Sequence, residues 1–297
     1  MSRDTQVATA PDGRTLTFAE WGDPDGFPVF SLHGTPNSRF ARHYDENDYV
    51  EVGARVITYD RPGYGGSDRQ RGRVVVDCVG DVAAIADALE LDRFAVTGGS
   101  GGGPHALAVA ARLPERVTRA TCAAGPAPYD VADFDWLAGM DPLNVREFEW
   151  ALQGEAVLVP ELEREAAEAL ARIADDPAKL LGDDWGLSEA DRTELGRPER
   201  SEIIRRDFAE AVRSGVWGWA DDDICFTKPW GFEVDEIRVP TRIIYGLTDV
   251  LVPVAHGEWL ATHVPGAEVV AEKELGHLGR PDLVTERYGW LVQPVTV

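Results

Sequence analysis

Residues 98–102 read Gly98-Gly99-Ser100-Gly101-Gly102. Two chemistries fit a stretch of this kind: a glycine-rich loop that cradles a phosphate, or a tight turn that holds a nucleophile. A Walker loop requires G-x-x-x-x-G-K-[S/T], and no lysine lies nearby. A dinucleotide fingerprint requires G-x-G-x-x-G; Gly99 and Gly101 begin one, but the third place is Pro104. Starting at Gly101 and Gly103 puts Ala106 in that place, in a register that falls on a helix rather than directly after a strand. The pattern G-x-S-x-G, by contrast, is met in full. It follows an apolar run at 93–97 and precedes a helical pattern at 104–112, the strand–turn–helix setting that lifts a serine hydroxyl clear of a sheet edge. Glycines two residues to either side leave room for that turn.

A serine hydroxyl is a weak nucleophile at neutral pH and needs a base held by an acid. The chain has six histidines. His33 ends an early apolar run in "LHGTP", His43 falls in a polar helix, and His256 and His263 fall in an amphipathic one. His105 lies on the helix after Ser100, where a packed or hydrogen-bonded structural role is the better reading. His277, in "ELGHLGRP", follows the last strand pattern and precedes the last helix, in a glycine-rich loop able to carry an imidazole over the sheet edge. For the acid, "IIYGLTDVLVP" puts Asp249 at the carboxyl end of a strand, with Asp130 and Asp133 as rivals after the preceding core strand. The order Ser100, Asp249, His277 is that of one class of serine enzymes. The N–H groups of Thr35, in the "HGTP" turn, and of Gly101 are the natural oxyanion donors, and His33 braces that turn. Asp235, Asp282 and the run Asp221-Asp222-Asp223 read as solvated surface or helix caps.

These residues need a sheet to hold them. Strand patterns occur at 15–21, 28–34, 54–60, 93–99 and 117–125, and again at 241–249 and 267–274. The continuous apolar runs among them suit parallel strands buried on both faces. Helical periodicity lies at 77–91, 104–114, 254–263 and 281–292. Strand and helix in alternation mean an α/β fold. From 127 to 226 strand signals nearly vanish, and helices are expected at 143–153, 161–174, 188–196 and 201–214. The simplest organisation is one α/β core, 1–126 and 227–297, interrupted by a helical insertion at 127–226. That insertion carries Trp136, Met140, Phe148, Trp150, Trp217 and Trp219. Such residues usually pack against a core; Trp136, Trp217 and Trp219 are candidates for a substrate pocket.

Asp and Glu outnumber Lys and Arg by 52 to 29 in 297 residues, a net charge of -23, which disfavours nucleic acid and anionic membrane surfaces as partners. No apolar stretch approaches the roughly 20 residues needed to cross a bilayer, and the first residues have no signal-peptide pattern. The three cysteines, Cys78, Cys122 and Cys225, are spaced neither as a disulfide framework nor as a zinc site. They read as small buried hydrophobes in a reducing cytoplasm. Neither cofactor nor metal is expected.

Taken together, "HGTP" (33–36), "DRPGYGGSD" (60–68), "GGSGG" (98–102), "GLTDVLVP" (246–253) and "GHLGRP" (276–281) resemble the motif set of the α/β-hydrolase superfamily, in its lid-bearing serine esterase, lipase and lactonase branch. "HGTPNSR", "SGGGPHALA" and "PWGF" (229–232) are similar to a subgroup of largely uncharacterised hydrolases. The resemblance covers nearly the whole chain. It implies an eight-stranded, mostly parallel sheet with helices on both faces, and a helical lid corresponding to 127–226. Epoxide hydrolases and haloalkane dehalogenases of this superfamily use an aspartate nucleophile; Ser100 in that place disfavours both activities. The expected function is cleavage of a carboxylic ester or lactone of a small apolar molecule through an acyl-enzyme. A biosynthetic acyltransferase or cyclase, other serine-triad chemistry such as that of cofactor-independent dioxygenases and lyases, and a non-catalytic small-ligand binder remain the alternatives.

Overall fold

The computed structural model describes residues 3–132, 134–280 and 282–294. Eight strands form one sheet: β1 (Gln6–Thr9), β2 (Thr15–Gly22), β3 (Phe27–Leu32), β4 (Ala54–Tyr59), β5 (Phe94–Gly99), β6 (Val117–Ala123), β7 (Thr241–Gly246) and β8 (Glu268–Glu272). Their order is β1-β2-β4-β3-β5-β6-β7-β8. β1–β2 and β2–β4 pair antiparallel; every other pair is parallel. The order reverses at β3, which has β4 on one side and β5 on the other. In an open parallel sheet, the crevice for a ligand opens beyond the carboxyl ends of the strands at such a reversal. The register Leu32↔Gly98 therefore sets the "HGTP" turn beside the "GGSGG" turn.

Side chains alternate across the sheet with period two, so each central strand feeds two cores. Phe30 and Leu32, Ile57 and Tyr59, and Phe94 and Val96 face one side. There they meet α2 (Cys78–Ala88), α3 (Gly102–Arg112) and α9 (Val254–His263). Val29, Val56 and Ala95 face the other, against Tyr49 of α1 (Asn47–Glu51) and Tyr288, Trp290 and Leu291 of α10 (Asp282–Leu291). α3 is buried nearly all round because it packs against β3, β5 and β6 and against α2.

Between β6 and β7 run α4 (Pro142–Gln153), α5 (Glu155–Asp175), α6 (Glu189–Leu195), α7 (Ser201–Ala211) and α8 (Trp217–Phe226). They close around an apolar cluster of their own: Leu158, Leu162, Ala166 and Ile173 of α5, Phe208 of α7, and Trp219 and Ala220 of α8. Tyr64, from the turn after β4, joins that cluster. Three elements, β1, α8 and the five-residue α1, were not visible as patterns. β1 is short and half-exposed at the sheet edge; α8 has three consecutive aspartates that break its apolar stripe. The polar helix expected around His43 is a loop, with α1 beginning after it. All three cysteines are free and buried. No helix among the described residues is long and apolar enough to cross a membrane.

Candidate active site

Ser100 stands between β5 and α3 with φ of +52°, a left-handed conformation that costs a non-glycine residue about 1–3 kcal/mol. The turn is pinned by the Ser100 N–H donating to the Ala123 carbonyl at 2.8 Å and the Gly103 N–H donating to the Ser100 carbonyl at 2.8 Å. Its glycines are dictated by space. A Cβ on Gly98 would overlap the Gly102 carbonyl, and one on Gly102 would overlap the Leu32 carbonyl.

Thr35 lies against this turn: a Cβ on Gly101 would meet the Thr35 side chain. Among the described residues, neither the Thr35 nor the Gly101 N–H finds a hydrogen-bond partner, and both residues line the same cavity as Ser100. His33 is buried and fully engaged. Its Nδ1–H donates to the Gly34 carbonyl at 2.7 Å, and its Nε2 accepts the Arg61 N–H at 3.1 Å. Burial, and then the Arg61 charge, hold its pKa well below the ordinary imidazole value, which suits a neutral brace.

The loop after β7 carries Asp249 and the loop after β8 carries His277. Asp249 Oδ1 accepts the N–H groups of Leu251 at 2.8 Å and Val252 at 2.9 Å. That leaves Oδ2 for His277 Nδ1, 2.8 Å away. Burial works against charging His277, but the Asp249 charge, the hydrogen bond to Asp249 and a smaller contribution from Asp191 outweigh it and raise its pKa above the ordinary value. Ser100 and His277 line one cavity; the hydrogen bond between them is not formed in this structure. Apo sites commonly show that bond long, and it tightens with substrate bound. Of the rival acids, Asp130 is exposed in a turn, and Asp133 lies outside the described residues.

The α/β hydrolase fold family matches residues 28–279. The chain belongs to this family. A pimeloyl-[acyl-carrier protein] methyl ester esterase from Aromatoleum aromaticum is 30% identical over 247 residues, covering 77% of this chain and 82% of that protein. A non-heme chloroperoxidase from Streptomyces lividans is 37% identical over 126 residues, 41% of this chain, and the match spans 45% of the length of that relative. Among solved structures, the enol-lactonase from Burkholderia xenovorans LB400 superposes with a TM-score of 0.68 at 21% identity, covering 95% of this chain and 97% of that one; this likeness speaks to the fold. Family membership supports hydrolase activity.

The α/β hydrolase cavity next to Ser100 is about 510 Å³, a size typical of small-molecule sites. Trp136 and Trp219 line it together with Met140, Phe148 and Trp150. Trp136 is also a structural post: it is 3% exposed, its Nε1–H donates to the Ala127 carbonyl at 2.6 Å, and it packs edge-on against Phe148 and His256. His256 is spent on the same loop, accepting from the Ala127 N–H and bonding the Trp136 carbonyl. The expectation for Trp217 is corrected. It lies outside this cavity, in a separate shallow depression, with the Arg69 guanidinium 4.3 Å above its ring.

The reading of Asp221, Asp222 and Asp223 as solvated is also corrected, since all three are buried. Asp222 accepts from Thr35 Oγ1 at 2.7 Å and Tyr64 Oη at 2.8 Å, and it pairs with Arg61 at 2.5 Å and Arg73 at 2.7 Å. Burial alone would raise its pKa; the two guanidiniums hold it well below the usual carboxylate range. A charge run on a helix is normally solvated; here Asp222 is inside because Arg61 and Arg73 of the segment after β4 meet it, Asp221 is paired with Arg69 of the same segment, and Asp223 faces Glu147. The signal was Arg61 and Arg73 themselves, in a stretch whose glycine turns send it under α8. His105, Asp222 and Cys225 lie within 4.8 Å of one another, yet Asp222 is already neutralised by two fixed cations, which disfavours a metal ion there. His105 donates from Nδ1 to the Gly101 carbonyl at 2.7 Å, and burial pushes its pKa down to about 3, consistent with the structural role expected for it.

Proposed function

We propose that this α/β hydrolase cleaves a carboxylic ester or lactone of a small, mostly apolar substrate through an acyl-enzyme on Ser100. The observation that carries the reading is convergence. One cavity brings together a serine on a strained turn, an imidazole held by a buried aspartate, and two unpaired N–H groups. In this mechanism Ser100 Oγ attacks the carbonyl carbon while its proton passes to His277 Nε2. The Nδ1–H bond to Asp249 fixes the tautomer that leaves Nε2 free to accept, and the carboxylate stabilises the imidazolium. The Thr35 and Gly101 N–H groups hold the oxyanion. His277 then protonates the departing alkoxide, and water repeats the sequence to release the acid. The segment at 127–226 serves as a lid whose inner wall, with Trp136 and Trp219, receives the apolar part of the substrate. A cytoplasmic location belongs to the same reading, in keeping with three unpaired cysteines.

A fluorophosphonate that labels serine nucleophiles tests this directly. The wild-type protein takes one label at Ser100 and turns over an activated aryl ester. Ser100→Ala loses both, with an unchanged thermal midpoint. Turnover retained by purified Ser100→Ala refutes the assignment. A competing alcohol, followed by product analysis, separates hydrolysis from acyl transfer.

A further inference from the structure

A buried carboxylate of the helices between β6 and β7 bonds the histidine loop. Asp191, on α6, is 1% exposed. Its Oδ2 accepts the His277 N–H at 3.0 Å and the Ser188 hydroxyl at 2.9 Å; its Oδ1 accepts the Leu278 N–H at 2.7 Å. The residue before the histidine, Gly276, makes this approach possible, because a Cβ there would overlap Asp191 Oδ2 and Ser188 Oγ. Among the described residues no Lys or Arg forms a salt bridge with Asp191. A buried carboxylate is normally matched by a cation, whereas this one is held by three neutral donors. Two cationic groups act on it from a distance: the Arg200 guanidinium, which is itself paired with Glu194, and the imidazole of His277 once protonated.

We infer that Asp191 is a positioning residue for His277: it fixes the backbone of the histidine loop from outside the core, and its charge favours the imidazolium that forms when Ser100 gives up its proton. The inference rests on the proposed role of His277 as base. The charges facing His277 are Asp249, from the loop after β7, and Asp191, from α6. Asp249 bonds the imidazole, while Asp191 bonds the peptide units on which the imidazole stands. The two have different consequences. Loss of Asp249 changes the tautomer; loss of Asp191 changes where the ring sits and how readily it takes a proton.

Two variants separate these effects. Asp191→Asn keeps size and one acceptor oxygen but removes the charge and turns an amide N–H₂ toward a backbone N–H. Its kcat on an activated aryl ester is expected to fall about tenfold to a hundredfold, as misplacement of a catalytic group does, with KM nearly unchanged. The acid limb of kcat/KM moves to lower pH, and the His277 imidazole titration, followed by NMR in the substrate-free protein, moves the same way. Asp191→Glu keeps the charge but overshoots the loop, so kcat falls while the acid limb stays. A folded Asp191→Asn with kcat within about twofold of wild type and an unshifted imidazole titration overturns the inference. If Asp191→Asn does not fold, wild-type kcat in Asp191→Glu overturns it. The NMR titration does not depend on turnover. Should Ser100→Ala remain active, the assignment of the nucleophile fails, and the titration still decides what Asp191 does to His277.

Discussion

Replacing Asp249 by Asn gives the sharpest test of the site. The carboxylate uses both oxygens, Oδ1 for the Leu251 and Val252 N–H groups and Oδ2 for His277 Nδ1. An asparagine has one oxygen to offer. In one orientation the oxygen keeps the two backbone donors and the Nδ2 donors face the imidazole. Nδ1 must then accept, the ring proton moves to Nε2, and Nε2 can no longer take the Ser100 proton. In the other orientation the tautomer survives, but the amide points its own donors at two backbone N–H groups. Leaving buried donors without acceptors costs about 1–3 kcal/mol each. The first orientation is therefore the cheaper, and it is the one that stops catalysis. A loss of about 10³- to 10⁴-fold in kcat is expected, or about 4–5.5 kcal/mol of barrier. Thermal stability falls much less, because packing is unchanged. The pH profile adds an independent check. His277 has a pKa raised by Asp249, so its acid limb in wild-type kcat/KM lies above the ordinary imidazole value, and in Asp249→Asn the residual activity shifts its limb to lower pH. The same linkage gives a stability sign: the contribution of protonated His277 is fully present below the unfolded pKa and is lost as pH rises through the higher folded one. Activated-ester kinetics from pH 5 to 9 on both proteins, with Asp130→Asn as comparison, would decide. A loss under about tenfold, or an equal loss in Asp130→Asn, refutes the assignment of Asp249.

Two further predictions concern the scaffold. Gly98→Ala puts a methyl into the Gly102 carbonyl, so backbone on both sides must move; a loss of several kcal/mol, about 3 or more, or failure to express in soluble form is expected, and a melt within a few degrees of wild type counts against the space argument. Glu147, on α4, and Asp223, on α8, face each other under Trp219, whose Nε1–H donates to Glu147 at 2.8 Å. Burial pushes the Glu147 pKa up to about 7, and burial followed by the Glu147 charge raises Asp223 well above the usual carboxylate value, so the folded pair holds protons the unfolded chain has already lost. Stability must then decline as pH rises from the ordinary carboxylate value toward 7. The thermal midpoint should show that slope in wild type and a flatter one in Glu147→Gln; equal slopes in both would contradict the pairing.

The placement of the candidate site residues was legible where they coincide with the end of an apolar run. Ser100, Asp249 and His277 each follow a strand at its carboxyl end, so a one-dimensional pattern already put them at one edge of a sheet. Thr35 and Gly101 were legible for the same reason, by way of the parallel register of β3 and β5. The helical segment is different. Its helices could be read from periodicity, but periodicity says which face is apolar and not what the face meets. Trp217 and Trp219 sit two residues apart on α8, so one turns toward the cavity and the other toward Arg69. Nothing in the local sequence distinguishes them. Asp222 shows the same limit for charge, since its burial depends on Arg61 and Arg73, more than 140 positions earlier in the chain.

That limit bears on how the two parts of the molecule are held in register. The apolar cluster of α5, α7 and α8 supplies attraction without direction, and on its own such an interface tolerates sliding and rotation. Buried carboxylates do not. Asp207, on α7, accepts the Ser38 N–H at 2.8 Å, the Ser38 hydroxyl at 2.7 Å and Asn37 Nδ2 at 2.5 Å; Asp222, on α8, takes Thr35; Asp191, on α6, takes the loop of His277. Each contacts a loop at the carboxyl end of β3 or β8, and each would leave a buried group unpaired if its helix moved by a few ångströms. Desolvating three carboxylates makes them a poor source of net stability. What they confer is a single seating of the helices over the sheet edge, in which the turn after β3 is gripped from α7 and α8 and the loop of His277 from α6.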